Sequence, residues 1–343
     1  MKLEQTLPSD WYVDPRRLDD ELERVFDRSW QYAGPAETVA EPGTYLTARA
    51  GRVPVVVTRD TEGDLNAFVN VCRHRGAEVV RDRNGSRKSL QCHYHAWTYG
   101  LDGRLRAAPG TTGLDLDDIA LPRVNVGAWG PFVFVNPDAE SAPLEDALGE
   151  LPAIVADARV PLESIRPRRS ASYEIQANWK LVVDNYLECY HCAVAHPGFS
   201  KAFDVDDYTL TEYPTFSVQR TPGREAGEGL YAFLWPNFTL NVYPGPGNVS
   251  VNLFVPLAAD RTLALFEYFL ADEVTEAAAD EFVAFVDQVQ REDTELCESA
   301  QRGLRSGRLE RGLLVPGRED GLQHFQRLVQ EALHVMTPEP PST

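Results

Sequence analysis

The chain has 343 residues, 43% of them hydrophobic and 25% charged, enough for two domains with cores of their own. Its net charge of −19 offers no basic footprint to a nucleic acid; it reads first as a solubility feature, with a field that mildly favours cationic over anionic substrates. No apolar run reaches the roughly 18 residues of a membrane span, and the opening MKLEQTLPSDWYVDP has no apolar signal core, so a cytoplasmic protein is expected.

Residues 14–30 predict a helix: Asp14 can cap it, Pro15 suits its first turn, and Leu18, Leu22, Val25, Phe26 and Trp30 form the apolar stripe. From about 40 to 158 the pattern changes to short strands, with candidates at 44–48, 53–59, 65–71, 89–99 and 132–136 and turns at Asp64, Asn84-Gly85 and Asp102-Gly103. Residues 143–158 and the stretch VPLESIRPRRS mark a boundary. Beyond it a helix is expected over 177–193. Strands rich in aromatic and β-branched residues follow over 208–220, 229–243, 248–256 and 261–270. Helices are expected over 272–304 and 319–336, the last carrying Leu322, Phe325, Leu328, Val329, Leu333 and Met336. The tail PEPPST is expected to fray. The class is α+β in three parts: an N-terminal segment (1–39) packing on the last domain, a β-rich domain (40–158), and a domain of antiparallel sheet and long helices (159–343).

Two loops carry the chemistry of the β-rich part, Cys72-Arg73-His74 and Cys92-His93-Tyr94-His95. Cys-x-His followed by Cys-x-x-His is the ligand set of a Rieske [2Fe–2S] centre, where two cysteines hold one iron and two histidines the other. Imidazole ligation lifts the potential above that of an all-cysteine cluster. A structural zinc site would instead pair cysteine with cysteine and histidine with histidine at short spacings; here each loop mixes the two. Cys72, His74, Cys92 and His95 are therefore the expected ligands, His93 either a support behind a ligand or a surface residue, and Trp97 and Tyr99 a shield. The remaining cysteines, Cys189, Cys192 and Cys297, bring the total to 5. An odd number without framework spacing argues against structural disulfides.

A second cluster lies about a hundred residues on. On a continuous helix Asp184, Glu188 and His191 would share one face, and His196 follows just before Pro197, where the helix should end. Two histidines and one carboxylate make the facial triad of a non-haem Fe(II) site, with positions left open. The helix over 272–304 supplies the carboxylate: Phe282, Phe285, Val286, Val289, Asp293, Leu296 and Ala300 form its stripe, and Asp293 in a buried stripe needs a metal or a cation to compensate it. Glu292 is the alternative ligand; Glu295 and Glu298 are expected in solvent. The cavity wall is expected from Phe199, Phe203, Phe233, Trp235, Phe238, Asn241 and Tyr243, an aromatic set that suits an arene or, through cation–π contact, a quaternary ammonium.

With both clusters in view the chain resembles the α subunit of Rieske non-haem iron oxygenases, the group of the aromatic-ring-hydroxylating dioxygenases. The resemblance spans nearly the whole chain: YVDP (12–15), FVNVCRHRG (68–76), CHYHAWTYG (92–100), NWK (178–180) and Glu188-x-x-His191-x4-His196. It implies a Rieske domain followed by a helix-grip catalytic domain, a [2Fe–2S] cluster and one mononuclear Fe(II), and assembly as a homotrimer in which one subunit's cluster faces its neighbour's iron. It implies that a carboxylate bridges two histidines, one from each site, at the position of Glu188. His93 stands where the family usually has proline, and Glu188 where it often has aspartate. Together with QREDTELCE (290–298), QRGL (301–304) and Trp235-Pro-Asn237, that glutamate is similar to the subgroup acting on quaternary amines such as choline, glycine betaine and carnitine.

The expected activity follows. An NAD(P)H-dependent reductase, with or without a ferredoxin, would feed the cluster, since no GxGxxG fingerprint opens a helix in this chain. Electrons would pass by Glu188 to iron held by His191, His196 and Asp293, with Asp184 orienting a histidine, and O2 would be spent on hydroxylating or N-demethylating a small substrate. The alternatives are cis-dihydroxylation of an arene and, from another class, a Rieske electron carrier without oxygenase activity.

Overall fold

The computed structural model describes residues 3–334 apart from 226, 246 and 247. Contacts divide the chain into two compact units, residues 26–147 on the one hand and the residues up to 25 together with those from 148 onward on the other. These limits differ from the expected 39/40 and 158/159. Strand Gln31–Pro35 pairs with Phe132–Asn136, which ties it to the β unit, while helix Leu151–Asp157 buries Leu151 and Val155 in the other.

The β unit is built on a seven-stranded antiparallel sheet in the order Gln31–Pro35, Phe132–Asn136, Arg123–Trp129, Leu65–Val69, Val53–Arg59, Thr44–Ala50, Asn84–Ser86. Val55, Val56 and Val57 are all fully buried because both faces are covered. Val55 and Val57 pack with Val124, Val133 and Val135. Val56, on the opposite face, packs with Phe68, Cys72, Cys92 and Tyr99. A three-stranded sheet, Leu90–Gln91, Thr98–Tyr99 and Leu105–Ala107, carries the second cysteine–histidine loop. The expected strand over 89–99 is thus a hairpin opened by that loop. Asn84-Gly85, expected as a turn, is an edge strand against Thr44–Leu46; a side chain at position 85 would run into the Tyr45 ring, 2.9 Å from its hydroxyl.

In the second unit α1 (Pro15–Arg24) starts as expected, with Asp14 accepting from the Arg16 amide. α2 (Trp179–Tyr186) is capped by Asn178 and stops well short of 193. The Glu188 carboxylate accepts from the amides of Tyr190 and His191, a side-chain turn that replaces helical bonding. Cys189 and Cys192 close the same turn with a disulfide, contrary to the reading of the cysteine count; their C-x-x-C spacing was the signal. Short helices Cys192–Ala195 and Pro197–Ala202 follow.

A seven-stranded antiparallel sheet then runs Ile165–Ile175, Arg261–Ala271, Asn248–Ala258, Phe238–Tyr243, Glu228–Leu234, Phe216–Pro222, Thr209–Glu212. Two expected strands, 208–220 and 229–243, are hairpins, the second turning at Trp235-Pro236-Asn237. α3 (Glu276–Arg305), capped by Thr275, packs on one sheet face, with the Phe282 ring 5.0 Å from Tyr243 and 5.8 Å from Tyr268. Its buried side continues through Cys297 and Gln301, not Leu296 and Ala300, which are exposed. α4 (Asp320–His334) closes the unit; Met336 and the PEPPST tail lie outside the described residues. Under α2 the fully buried Glu21 of α1 accepts from Trp179 Nε1 and from Lys180 Nζ, both at 2.6 Å.

Candidate metal centres and active-site cavity

The two cysteine–histidine loops are built alike. The Cys72 amide donates to Ala77 O (2.8 Å) and the Gly76 amide to Cys72 O (3.0 Å); the Cys92 amide donates to Trp97 O (2.8 Å) and the Ala96 amide to Cys92 O (3.0 Å). Each loop needs a left-handed residue four places after its cysteine: Gly76 at φ +73° and Ala96 at φ +57°, the latter an uncommon conformation for a non-glycine residue. Both sulfurs are buried and unbridged, while His74 and His95 reach solvent with ring centroids 4.5 Å apart. His74 stacks on Trp97 at 5.0 Å and 8°. Tyr99 Oη accepts from the Arg73 amide (3.0 Å) and lies 3.3 Å from Cys72 Sγ, so its own proton is free to donate to the sulfur, one of the levers that raise a cluster's potential. Two buried thiols and two exposed, adjacent imidazoles, carried on two loops of the same build, fit a Rieske cluster. His93 is exposed, which agrees with the surface alternative.

In the second unit three atoms converge. His191 Nε2 and His196 Nε2 are 3.0 Å apart, and Asp293 Oδ1 lies 3.0 Å from His196 Nε2 and 3.4 Å from His191 Nε2. That oxygen is buried and has no hydrogen bond of ordinary geometry. The outer nitrogens are held by other carboxylates, His191 Nδ1 by Glu188 and His196 Nδ1 by Glu292 at 2.8 Å, with Gln288 steadying Glu292. Protons on Nδ1 leave both Nε2 lone pairs aimed at one point. Burial opposes charge on His191, but Asp293 and Glu188 outweigh it and lift its pKa to about 10. His196 is raised in the same way against burial, and Asp293 is held low by the two rings despite its own burial. The point between the rings is thus an electrostatic trap for a cation. An octahedral face with bonds of about 2.1 Å has edges of about 3.0 Å, close to the spacings here, so the three residues fit one metal ion.

Asp184 does not orient a histidine. It is deeply buried, accepts from Tyr12 Oη (2.9 Å) and Gln326 Nε2 (3.0 Å), and burial lifts its pKa to about 7. The early end of α2 takes Asp184 off the face that carries Glu188 and His191. The neighbouring Asn185 lies 3.5 Å from His191 Nε2. Glu298, expected in solvent, accepts from the Gln176 amide (3.0 Å).

The triad borders a cavity whose far wall is the sheet face covered by α3. Gln219, Thr221, Tyr231, Asn241, Tyr243, Asn252, Phe254 and Phe266 line it from the strands, with Tyr186, Phe199, Tyr208, Val286 and Val289 around the rim. Among the described residues no lysine or arginine lines it. Of the expected wall, Phe199, Asn241 and Tyr243 are present. Phe203 lies behind Phe199, stacked at 4.6 Å. Phe233 and Trp235 pack on Phe325 of α4, at 5.6 and 6.0 Å. Phe238 alternates with Asn241 and Tyr243 and so faces the other side of its strand. Tyr231 was missed, although its place opposite Asn241 follows once the hairpin register is known.

Two family descriptions match: the Rieske [2Fe-2S] domain over residues 29–121, and the catalytic domain of the ring-hydroxylating alpha subunit over 162–334. The chain is 35% identical to the chloroplastic choline monooxygenase of Arabidopsis thaliana, over 96% of this chain and 83% of that one. It is 32% identical to the carnitine monooxygenase oxygenase subunit of Escherichia coli (strain K12), over 95% and 93%. Among solved structures, the quaternary ammonium Rieske monooxygenase CntA in complex with L-carnitine superposes with a TM-score of 0.89 at 30% identity, covering 97% of this chain and 96% of that one. A naphthalene 1,2-dioxygenase with bound indole shares the fold, with a TM-score of 0.80 at 21% identity.

The chain belongs to the ring-hydroxylating alpha-subunit family of Rieske oxygenases. It is an oxidoreductase, the terminal oxygenase component of a Rieske system, and it carries a Rieske [2Fe–2S] cluster and a mononuclear iron. The matched catalytic domain removes the alternative of a stand-alone electron carrier.

Proposed function

We propose that this oxygenase acts on a quaternary amine, hydroxylating a carbon next to nitrogen or removing an N-methyl group. The observation that carries the reading is the cavity itself: tyrosine and phenylalanine rings, side-chain amides and the carboxylates of Glu188 and Asp293, with no lysine or arginine among its described lining residues. A quaternary ammonium cannot donate hydrogen bonds. It is held by ring faces and by negative field, and this wall supplies both. The identities to choline and carnitine oxygenases support the same reading.

In this reading Cys72, Cys92, His74 and His95 hold the cluster, and His191, His196 and Asp293 hold the iron. When bound, these groups supply the electron and the activation of O2. Glu188 and Glu292 keep the two imidazoles oriented through Nδ1. Tyr231, Tyr243 and Phe199 place the ammonium head, and Asn241, whose side chain accepts from Tyr186 Oη at 2.7 Å, fixes a polar point on the wall. Glu188 is the carboxylate proposed to bridge to a cluster histidine of a neighbouring subunit in a homotrimer, a role supported by one CntA structure that is described as revealing inter-subunit electron transfer. A cytoplasmic NAD(P)H-dependent reductase, directly or through a ferredoxin, completes the system.

The test is NADH and O2 consumption with a surrogate reductase, screened over choline-like amines, betaines and arenes. Amine-triggered turnover with formaldehyde or aldehyde as product is expected. Turnover only on arenes, giving cis-diols, would overturn the substrate class.

A further inference from the structure

We propose that Cys189 and Cys192 form a redox-sensitive site, at which reduction of their disulfide delivers a thiolate ligand from Cys192 to the metal held by His191 and His196. The inference rests on the metal-site reading above. The disulfide brackets His191 within Cys189-Tyr190-His191-Cys192, a C-x-x-C pair with the spacing of thiol–disulfide exchange sites. Both cysteines border the cavity that holds the triad, so a small thiol or peroxide can reach them by the path a substrate takes.

Cys192 Sγ and one ring nitrogen of each histidine already lie within 4.8 Å of one another. Two ligands of a tetrahedral metal, with bonds of about 2.1 and 2.3 Å, are about 3.6 Å apart, so the sulfur has only a short way to move. The backbone of Cys192 is fixed relative to both histidines: its carbonyl accepts from the His196 amide (2.9 Å) and from Ser200 Oγ (3.0 Å). Freeing the sulfur therefore asks for a side-chain rotation and no rearrangement of the loop.

A small thiol of the glutathione class breaks the Cys189–Cys192 S–S bond; two S–H bonds form, and two molecules of the small thiol become its disulfide. Cys192 then gives its proton to solvent as it binds the metal. In the reverse direction hydrogen peroxide takes two electrons and two protons from the dithiol and leaves as two waters. With the disulfide closed, the donor set is two nitrogens and one oxygen with open positions. With it reduced, a sulfur completes a closed four-ligand set, which suits Zn2+ and fills a position the oxygenase needs open.

The experiment uses the holoenzyme with its Rieske cluster intact and Co2+ in the mononuclear site. X-ray absorption at the cobalt edge is blind to the cluster iron. A sulfur neighbour of cobalt is expected in the dithiol form after the reductant has been removed. It should be lost on reoxidation, absent from Cys192→Ser in every state, and present in Cys189→Ser without reductant. Nitrogen and oxygen neighbours alone in both the dithiol form and Cys189→Ser would overturn the proposal while leaving the metal site standing. Cobalt bound by the disulfide form alone would overturn this inference only; cobalt bound by neither form would overturn the metal-site reading and this inference with it.

Discussion

Adjacent carboxylates on α3 meet the same histidines from different sides, and the difference is measurable. Asp293 Oδ1 stands 3.0 and 3.4 Å from the two Nε2 atoms, whereas Glu292 holds only His196 Nδ1, at 2.8 Å. Asp293→Ala removes one of the three converging donors. It should leave the mononuclear site empty, so that iron falls from about three to about two atoms per chain while the Rieske absorption is unchanged. Glu292→Ala removes an outer support. Losses of that kind weaken metal affinity about 10–100-fold, or about 1.4–2.7 kcal/mol, and Glu292→Gln, which keeps an acceptor for Nδ1–H, should recover much of it. Iron retention against a graded chelator, normalised to the visible absorption of the cluster in the same sample, reads all three variants. A Glu292→Ala protein that lost its iron completely, beside an Asp293→Ala protein that kept it, would refute the assignment.

Glu188→Gln should keep both metals yet slow reoxidation of the Rieske centre in a single turnover; transfer at the normal rate would remove Glu188 from the electron path. Asp184 is lifted by burial from 3.8 to about 7, so the native state binds more protons than the unfolded chain between about pH 4 and 7, and stability falls as pH rises through that window. Asp184→Asn should therefore gain about 2–3 kcal/mol at pH 8 relative to its gain at pH 5, and denaturation curves that differ by the same amount at both pH values would contradict it. Glu21→Ala strands Lys180, a buried charge whose pKa burial already lowers, and should cost about 3–5 kcal/mol. The double variant Glu21→Gln/Lys180→Met should recover most of that loss in urea unfolding, and a single variant of near-normal stability would show that the pair matters little.

The cluster loops were legible because their information is local. Cys72 with His74, and Cys92 with His95, each sit within one turn of chain, and the spacing alone carries the chemistry. The Asp14 cap and the strand Val53–Arg59 were legible for the same reason: a cap is one side chain against the next amides, and a buried strand is a run of β-branched residues. Residues 177–193 misled because apolar spacing continues past Leu187, while the Glu188 carboxylate and the Cys189–Cys192 bond stop the helix there. Asp184 went with it, since its expected role depended on a face that an eight-residue helix does not extend to His191. Asp293 could be nominated from its place on the α3 stripe, but its distance from His196 belongs to the packing of α3 on the sheet. Composition could supply an aromatic wall; only strand register could put Tyr231 beside Asn241 and turn Phe238 away. Sequence determined which ligands and caps exist, because those interactions close over a few residues of chain. Tertiary structure decided which side chains share the cavity, because that depends on cross-strand pairing and helix packing between segments about a hundred residues apart.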